Sequence, residues 1–372
     1  MYEITNKVSR KAPVNSTAPI RMISYGNGFI LQSDKYSRDN AGESLKKYTL
    51  LKKGEMAYNH GASKNKKYGV CYSLKESDEA RIPFVYHAFQ INRGLPAFWN
   101  YALNISQIDK QLKKLVSSGA RMDGLLNISY DDYMSISVYE PCVDEQAKIS
   151  AFLSVIDKRI AVQNKIISKY ETLIKGIYHD FFSKPADYAI KIKDLIIKGK
   201  AGGTPSSTVA QYYNGDIPFL SISDMTKQGK YVSYTEKHIS KSGIENSSAW
   251  IVPSNSLIFS MYASVGLVCI NTVPLATSQA MFSMVLKDHR MIEYIYYYLN
   301  FFRETKIHRH IETGTQSNIN AETVRNIDIP FQSNHLKLVE TLNSIEKRLN
   351  NEKDMLSLLL DLKAYLLSKL FI

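Results

Sequence analysis

The chain has 372 residues, of which 44% are hydrophobic, so it has room for two or three domains with packed cores. Lys and Arg outnumber Asp and Glu by 47 to 35, and the resulting net charge of +12 favours a polyanionic partner over a merely basic soluble protein. Three cysteines stand far apart without a CxxC or Cys/His cluster, which excludes a disulfide framework and a structural zinc site. No apolar leader or anchor is visible, so we expect a cytoplasmic protein that binds no membrane.

The first half begins with short β-like runs separated by glycine-containing turns. The predicted strands are Arg21–Ser24, Tyr48–Leu51, Met56–Tyr58 and Tyr68–Tyr72. A helical patch follows from about Phe98 to Val116. We interpret residues 1–140 as a mixed domain of α+β or α/β class.

A long helix with a coiled-coil seam is predicted over residues 141–184. Its seam positions step by four and three in alternation, which is the heptad period of about 3.5 residues. They are Ile149, Leu153, Ile156, Ile160, Gln163, Ile167, Tyr170, Ile174, Ile177 and Phe181. The polar Gln163 can fix the register of a helix pair at some cost in stability. Pro185 ends the helix and marks a domain boundary.

The second half, residues 185–330, repeats this plan with little of the same sequence. After an opening segment, Asp187–Ile197, the strand candidates are Ile217–Ile222, Ser256–Phe259 and Leu267–Ile270. A helix rich in tyrosine and phenylalanine follows from about Met291 to Arg303. Because the two domains share a plan but have diverged in sequence, we expect them to bind different things.

The first long helix returns over residues 331–372, with each position 189 residues after its counterpart, as Pro330 is after Pro141. The repeated seam consists of Leu338, Leu342, Ile345, Leu349, Glu352, Leu356, Leu359, Lys363, Leu366 and Leu370. We expect Leu362, beside Lys363, to continue the apolar seam. Two such stripes can cover each other by crossing antiparallel, which predicts a pseudo-twofold dumbbell with a domain at each end. The alternative is that each stripe packs on its own domain.

Sequence motifs for catalysis or metal binding are absent. We find no GxxxxGK[ST], HExxH or GxSxG motif, and no Asp/Asn-Pro-Pro-aromatic motif of an amino-methyltransferase. His308 and His310 are two positions apart, which on a helix points their imidazoles to different faces. We therefore predict no catalytic residue, no metal ligand and no bound cofactor.

Basic, amide and aromatic side chains on glycine-containing loops are the candidates for DNA contact, because cations suit phosphates and amides or Arg can pair with base edges. The first half offers Lys64, Asn65, Lys66, Lys67 and Tyr68, followed by Arg121. The second half offers Lys198, Lys200, Thr204, Ser206 and Ser207, followed by Arg309, Gln316, Ser317 and Asn318. The alternative for each loop is a solvated turn.

At several places the chain resembles the specificity subunit of a type I restriction-modification enzyme. Gly202–Ser206 and Gly215–Met225 are similar to the opening of a target recognition domain in that family, and Gly314–Ile319 with Ile327–Pro330 is similar to its close. Pro141 with Glu145–Ile149 resembles the family's first conserved helix. The second helix departs from this pattern, with Asn334-His335 where the first has Glu145-Gln146.

The resemblance implies a non-catalytic subunit that reads double-stranded DNA. Each recognition domain would read half of a split target while the helices fix the spacer between the halves. Partners would be methyltransferase subunits, expected to be two, and restriction subunits, with S-adenosylmethionine bound by the methyltransferase. Two other hypotheses stay open from the residues alone, an autonomous DNA-binding regulator and an enzyme with an unrecognised nuclease site.

Overall fold

The computed structural model describes residues 1–13, 15–35, 42–61, 63, 66–116, 125–310 and 318–371. The chain divides into two compact units, Met1–Lys165 with Asp354–Ile372, and Ile166–Lys353. We call these the first unit and the second unit. Each contains one mixed α and β domain and one section of each of two long helices, so the predicted fold class is confirmed.

Among the described residues, eight short strands and three short α-helices precede the first long helix. The strands are β1 (Thr5–Lys7), β2 (Arg21–Ser24), β3 (Gly28–Leu31), β4 (Thr49–Lys52), β5 (Met56–Asn59), β6 (Val70–Ser73), β7 (Glu79–Ile82) and β8 (His87–Ile91). The helices are α1 (Pro96–Ala102), α2 (Ser106–Leu115), α3 (Tyr130–Met134) and the long α4 (Val143–Phe182). All four predicted strands and the predicted helical patch are confirmed to within about two residues, the patch being divided into α1 and α2.

The sheet that organises the first unit has the strand order β1-β8-β5-β6, with each neighbouring pair antiparallel. One of its faces packs on α1 and α2 around the buried Trp99, Phe89 and Tyr133. This core also includes Leu153 of α4, so the long helix is anchored directly on the domain.

The second unit contains more strands and a longer packed helix. Its strands are β9 (Tyr188–Lys191), β10 (Ile196–Ala201), β11 (Ile217–Leu220), β12 (Tyr231–Val232), β13 (Lys237–Ile239), β14 (Ser256–Ser260), β15 (Val268–Asn271), β16 (Ala276–Thr277), β17 (Met281–Leu286) and β18 (Asp328–Phe331). Its helices are α5 (Ile192–Leu195), α6 (Ile222–Gln228), α7 (Lys241–Glu245), α8 (Ile292–Thr305), α9 (Ala321–Arg325) and the long α10 (His335–Leu370).

The second unit repeats the sheet of the first. Its order is β10-β17-β14-β15-β12, and the first four strands pair antiparallel as β1-β8-β5-β6 do. The aromatic helix α8 packs on this sheet, with Tyr294, Tyr297 and Phe302 buried among strand residues such as Phe259 and Phe282. The internal duplication therefore extends to the domains, whose sequences reveal little of it.

The predicted seam positions of both long helices are buried or half-buried along their whole length. Leu153, Gln163, Ile167, Leu342 and Leu349 are among the most buried of them. Exposed positions lie between the seam residues on both helices, as the heptad period requires.

Ion pairs join the two helices in each unit. In the first unit Lys363 contacts Asp157 at 2.6 Å, and in the second unit Lys353 contacts Glu171 at 3.0 Å. Within each unit the helices run antiparallel. In the second, for example, Tyr178 and Phe181 beyond Glu171 share a core with Leu338 and Leu342, which precede Lys353 along α10. The helix ends therefore pack both on each other and on the domain of their unit, which combines the two sequence alternatives.

One seam prediction was wrong. Leu362 does not carry the apolar seam past Lys363, because its side chain is 43% exposed. Lys363 itself occupies the seam, half-buried, with its ammonium group bound by Asp157. The aliphatic part of a lysine can lie along an apolar surface while its charge finds a partner, so the heptad phase is kept without a leucine.

Candidate DNA interface

In the second unit, the three neighbouring strands β10, β17 and β14 place their connecting loops at one end of the sheet. The antiparallel order puts the ends of β10 and β14 beside the start of β17. Backbone hydrogen bonds tie the loops together, from Gly202 N to Met281 O at 3.1 Å, from Met261 N to Ala280 O at 2.8 Å, and from Ile319 N to Met261 O at 3.0 Å. We call residues 202–204, 261–266, 278–280 and 318 the loop edge of the second unit.

The two glycines of the Gly202–Ser206 motif serve packing. A Cβ atom at Gly202 would lie 2.0 Å from the Thr277 carbonyl oxygen, and one at Gly203 would lie 2.2 Å from the Ser248 hydroxyl. No other residue fits at either position, so these glycines fix the loop against its neighbours. Thr204, which follows, donates a hydrogen bond to Gln279 at 2.5 Å and leaves both polar side chains on the exposed side of the loop edge.

The other predicted contacts in this half lie on the surface around the same domain. Lys198 and Lys200 are exposed on β10, with the Lys198 ammonium group 4.1 Å from the centre of the Trp250 ring. Ser206 and Ser207 are exposed in the loop after Thr204.

A basic tract, Lys306–His310, lies beside the turn between β14 and β15. Gly266 of that turn packs so closely on this tract that a Cβ there would come within 2.4 Å of Ile307. Arg309 is exposed in the tract, and the His310 ring lies 5.3 Å from that of Phe302. Asn318 forms an isolated bridge with Tyr262 of the same turn. Two sequence predictions, Arg309 and Asn318, therefore belong to one surface, although the predicted contacts Gln316 and Ser317 lie outside the described residues.

The first unit has an equivalent loop edge, residues 7–8, 59–61, 85–87 and 125–128. Gly61 forms an isolated bridge with Leu125, as Tyr262 does with Asn318 in the second unit. Both ring nitrogens of the buried His60 face carbonyl oxygens, with Nδ1 2.7 Å from Leu126 and Nε2 2.9 Å from Val85. His60 thus holds three of the edge's segments together.

Lys7 and His87 add cationic and imidazole groups to this edge. The Lys7 ammonium group lies 4.5 Å from the centre of the Tyr130 ring. The His87 ring stacks on His60 with 4.9 Å between ring centres. Burial lowers the pKa of His87, and the neighbouring His60 and Lys7 act in the same direction. His87 is therefore neutral near pH 7, and the positive charge that the first-unit edge can offer to phosphates comes from Lys7.

Lys66, a predicted DNA contact, has a structural role instead. It is buried, and its ammonium group contacts Asp109 of α2 at 2.5 Å and the Asn104 carbonyl oxygen at 3.0 Å. The buried ammonium group cannot reach a phosphate without breaking both contacts with these half-buried acceptors, so Lys66 is no longer a candidate. Lys67 beside it is exposed, and Tyr68 is half-buried. The predicted contacts Lys64, Asn65 and Arg121 lie outside the described residues.

Sequence reasoning missed four residues that the loop edges bring forward, namely Lys7, His87, Tyr262 and Gln279. None belongs to a motif, and each reaches its edge only through the sheet order. The usable signal was the pair of hairpins β5–β6 and β14–β15, whose turns occupy equivalent positions in the two units. The sequence interpretation instead matched the Gly61–Tyr68 loop with the loop after Lys198.

Within the described ranges, no group of three or more His, Cys, Asp or Glu residues is arranged to hold a metal ion. Nor does any described helix combine the length and apolar character that crossing a membrane requires.

Comparison with known proteins identifies the family. Residues 186–356 match the family model described as type I restriction modification DNA specificity domain. The type I restriction enzyme HindI specificity subunit of Haemophilus influenzae is 22% identical over 446 aligned positions, covering 95% of this chain and 96% of that protein. Residues 186–356 therefore carry a type I restriction-modification DNA specificity domain, and the chain as a whole is similar to a specificity subunit of such a system.

Other relatives match more locally. The MjaIX specificity subunit of Methanocaldococcus jannaschii is 28% identical over 190 residues, which are 50% of this chain and 43% of that protein, so the chain matches less than half of its length. Among solved structures, the S subunit of a type I restriction-modification system from M. genitalium has a TM-score of 0.57 at 14% identity, covering 99% of this chain and 93% of that chain. A likeness at this identity supports the fold.

Proposed function

We propose that this specificity subunit reads a bipartite DNA target, with each domain recognising one half. The observation that carries the proposal is the repeated loop edge, because two sheets of one topology present different side chains at equivalent places. Lys7 and His87 occupy the edge of the first unit, whereas Tyr262, Gln279 and Asn318 occupy that of the second. One scaffold with two different sets of side chains at its loop edges suits two unlike half-sites.

The electrostatics of the chain agree with a DNA ligand. The net charge of +12 is positive enough for non-specific attraction to phosphates, and exposed cations such as Lys67, Lys200 and Arg309 lie on or next to the candidate surfaces. Phosphate contacts of this kind position a protein on a duplex, while amide and aromatic groups read the bases.

The paired helices are the proposed ruler and the proposed docking surface. Apolar side chains point away from the seam into solvent on both helices, and Val155 and Leu358 are 61% and 63% exposed. The set also includes Phe152, Val162, Leu173, Leu336, Met355, Leu362 and Tyr365. Exposed apolar surface of this extent is typical of a protein interface. We assign it to methyltransferase subunits, two per chain, with restriction subunits joining the complex through them.

Catalysis in this proposal belongs to those partners. The methyltransferase would bind S-adenosylmethionine and methylate the DNA, and the restriction subunit would cleave the DNA. This chain would recognise the target sequence. The proposal favours this assignment over an autonomous regulator because the helices present apolar surface that a free regulator would leave in water.

Methylation mapping with purified components tests the proposal. The chain alone should methylate nothing, and adding the methyltransferase subunit with S-adenosylmethionine should produce methylation at a split motif. Binding of the chain to a short operator with no capture of methyltransferase would favour the regulator, and metal-dependent DNA cleavage by the chain alone would favour the nuclease.

A further inference from the structure

We propose that the turn Tyr262–Ser264 between β14 and β15 is the base-reading element of the second unit, with Tyr262 making the contact. This inference rests on the proposed function and adds a specificity-determining residue to it. No sequence motif marks the turn, and the proposal depends on its backbone, its exposure and its neighbours.

The turn is held in a backbone conformation that its residues disfavour. Ala263 and Ser264 have φ values of +42° and +34°, in the left-handed region where a Cβ atom meets steric resistance. Among the described residues, Asn255 is the one other non-glycine position with positive φ, at +56°. Two adjacent strained residues that are neither glycine nor asparagine persist only where surrounding contacts enforce them.

The buried Ser260 provides that enforcement. Its hydroxyl lies 2.7 Å from the Tyr262 carbonyl oxygen and 3.1 Å from that of Ala263, so one donor serves both. Backbone hydrogen bonds close the turn from Gly266 N to Ser260 O at 2.8 Å and from Leu267 N to Ser264 O at 3.1 Å. The turn is therefore a preformed, rigid projection. A preformed element loses less conformational entropy on binding than a loop that must first become ordered.

The exposed side chains of the turn and the cations next to it are suited to contact with a DNA duplex. Tyr262 is 39% exposed at the loop edge, and Ala263 and Ser264 beside it are exposed as well. Gly266 packs against Ile307, which places the cations of Lys306–His310 at the base of the turn. An aromatic side chain flanked by cations can contact base edges or stack on a base while the cations bind phosphates.

A purely structural hairpin would not need this strain. Glycine or asparagine normally occupies left-handed positions in tight turns, and this turn does use Gly266 at φ +82°. At the exposed positions 263 and 264 the chain instead keeps residues that resist the conformation. Strain of this kind concentrates at functional sites.

Replacing the ring tests the assignment. The full chain assembled with methyltransferase subunits should be compared with Y262A and Y262F by methylation mapping and by binding to duplexes altered in one half-site. We expect Y262A to lose roughly tenfold or more of its discrimination in the second unit's half-site, the size of one base contact, with the first half-site unchanged. Y262F, which keeps the ring, should retain most of it. Y234A is the matched control, because Tyr234 is 56% exposed elsewhere in the second unit.

Relaxing the turn gives a second, independent test. A263G/S264G removes the strain and N255G removes it at the opposite end of β14, so both variants should melt no lower than the parent. Only A263G/S264G should broaden the range of base sequences that is methylated at the second unit's half-site. Unchanged motifs and unchanged discrimination in both Y262A and A263G/S264G, with the parent complex methylating a split target, would overturn the turn assignment alone. A parent complex that methylates no split target would overturn the proposed function itself.

Discussion

Lys363 and Asp157 form a 2.6 Å ion pair between α10 and α4, at a seam position where the heptad calls for an apolar side chain. The Tyr101 hydroxyl also donates to Asp157, at 2.8 Å, and so ties the pair to the domain of the first unit. Burial and the neighbouring carboxylate raise the pKa of Tyr101, so its hydroxyl stays protonated as a donor. Glu346, 189 residues after Asp157, is also in an ion pair, but its partner at 2.6 Å is Lys230 of the second unit's domain and lies between α6 and β12.

A carboxylate at a seam position should destabilise the packing of the two long helices. Ile156→Asp with Ile345→Asp places two charges on half-buried seam positions, and we expect each to lower the free energy of unfolding by about 2 to 3 kcal/mol because a buried polar group loses its water. Denaturant titration of the chain measures this. Val155→Asp is the matched control, one residue away and exposed, and should change the stability by less than about 0.5 kcal/mol. Equal destabilisation by both variants would contradict the pairing.

The outer apolar face should be needed for assembly and not for folding. Val155→Asp with Leu358→Asp charges two exposed positions, so the melting temperature of the chain should hardly change. We expect the methyltransferase subunit to bind at least tenfold more weakly, since a single charge desolvated at an interface costs more than about 1.4 kcal/mol. Mass photometry of the mixed subunits checks this, with Ser357→Asp on the adjacent exposed position as control. Undiminished assembly of the Val155→Asp/Leu358→Asp variant would show that this apolar face does not bind the methyltransferase subunit.

Two adjacent lysines should behave in opposite ways. Lys67→Met removes an exposed cation, and if it contacts a phosphate the slope of log K against log salt should fall by about 0.9 with little change in stability. Lys66→Met leaves Asp109 without its buried partner and should destabilise the chain by about 2 kcal/mol without changing the slope. Salt-dependent DNA binding and urea denaturation together separate the two. A reduced slope for Lys66→Met would restore it as a DNA contact.

The Lys230 cluster should make the second unit sensitive to acid. Burial alone would raise the pKa of Glu293, but hydrogen bonds from Tyr231 and Asn343 and the charge of Lys230 outweigh it and leave the pKa below its usual value. A carboxylate whose pKa is lowered by folding contributes stability above its unfolded pKa of about 4.5 and loses it as the pH falls further.

Lys230→Met should therefore cost about 3 kcal/mol at pH 7, because Glu293 and Glu346 lose their common cation in a largely buried cluster. The loss should shrink as the pH falls towards 4, because Glu293 without Lys230 then becomes protonated. Urea midpoints at the two pH values measure the effect. Lys227→Met, which breaks an exposed ion pair with Glu236, should show little loss at either pH. A loss independent of pH would contradict the electrostatic origin.

The long helices could be predicted from sequence because one physical effect dominates them. An apolar stripe that must be buried on one side of a helix produces a heptad period in the sequence, and both copies of the duplicated helix keep it. This period predicted the ends of α4 to within two residues. The exception was Lys363, where an ion pair to Asp157 replaced an apolar contact. Nothing local to Lys363 reveals a partner on the other helix.

Two of the central strands, β17 and β8, could not be predicted in the same way. β17 is buried on both faces, and its residues Met281–Leu286 show no alternation that would distinguish a strand. β8 was missed as well. Without these strands the sheet order, and with it the equivalence of the turns after β5 and β14, could not be derived. That equivalence is what assigns the loop edges.

Single side chains at the candidate site depended on contacts distant in sequence. Lys66 and Lys67 are adjacent and chemically alike, yet Lys66 forms a buried ion pair with Asp109, which lies 43 residues away. Ala263 and Ser264 adopt left-handed backbone against their own propensity because Ser260 and the neighbouring strands hold them there. Propensity and composition could identify basic loops in general, and only tertiary packing decides which of their groups face outward.

In the proposed function, the paired helices set the distance between the two half-sites. Deleting residues 161–167 and 350–356, one equivalent heptad from each helix, keeps the seam in phase and shortens the pair by about 10 Å. Methylation mapping of the assembled complex should then show both half-sites unchanged and the spacer shorter by about three base pairs at roughly 3.4 Å per pair. A folded, active complex that still methylates targets with the original spacer length would show that the helices do not set this distance.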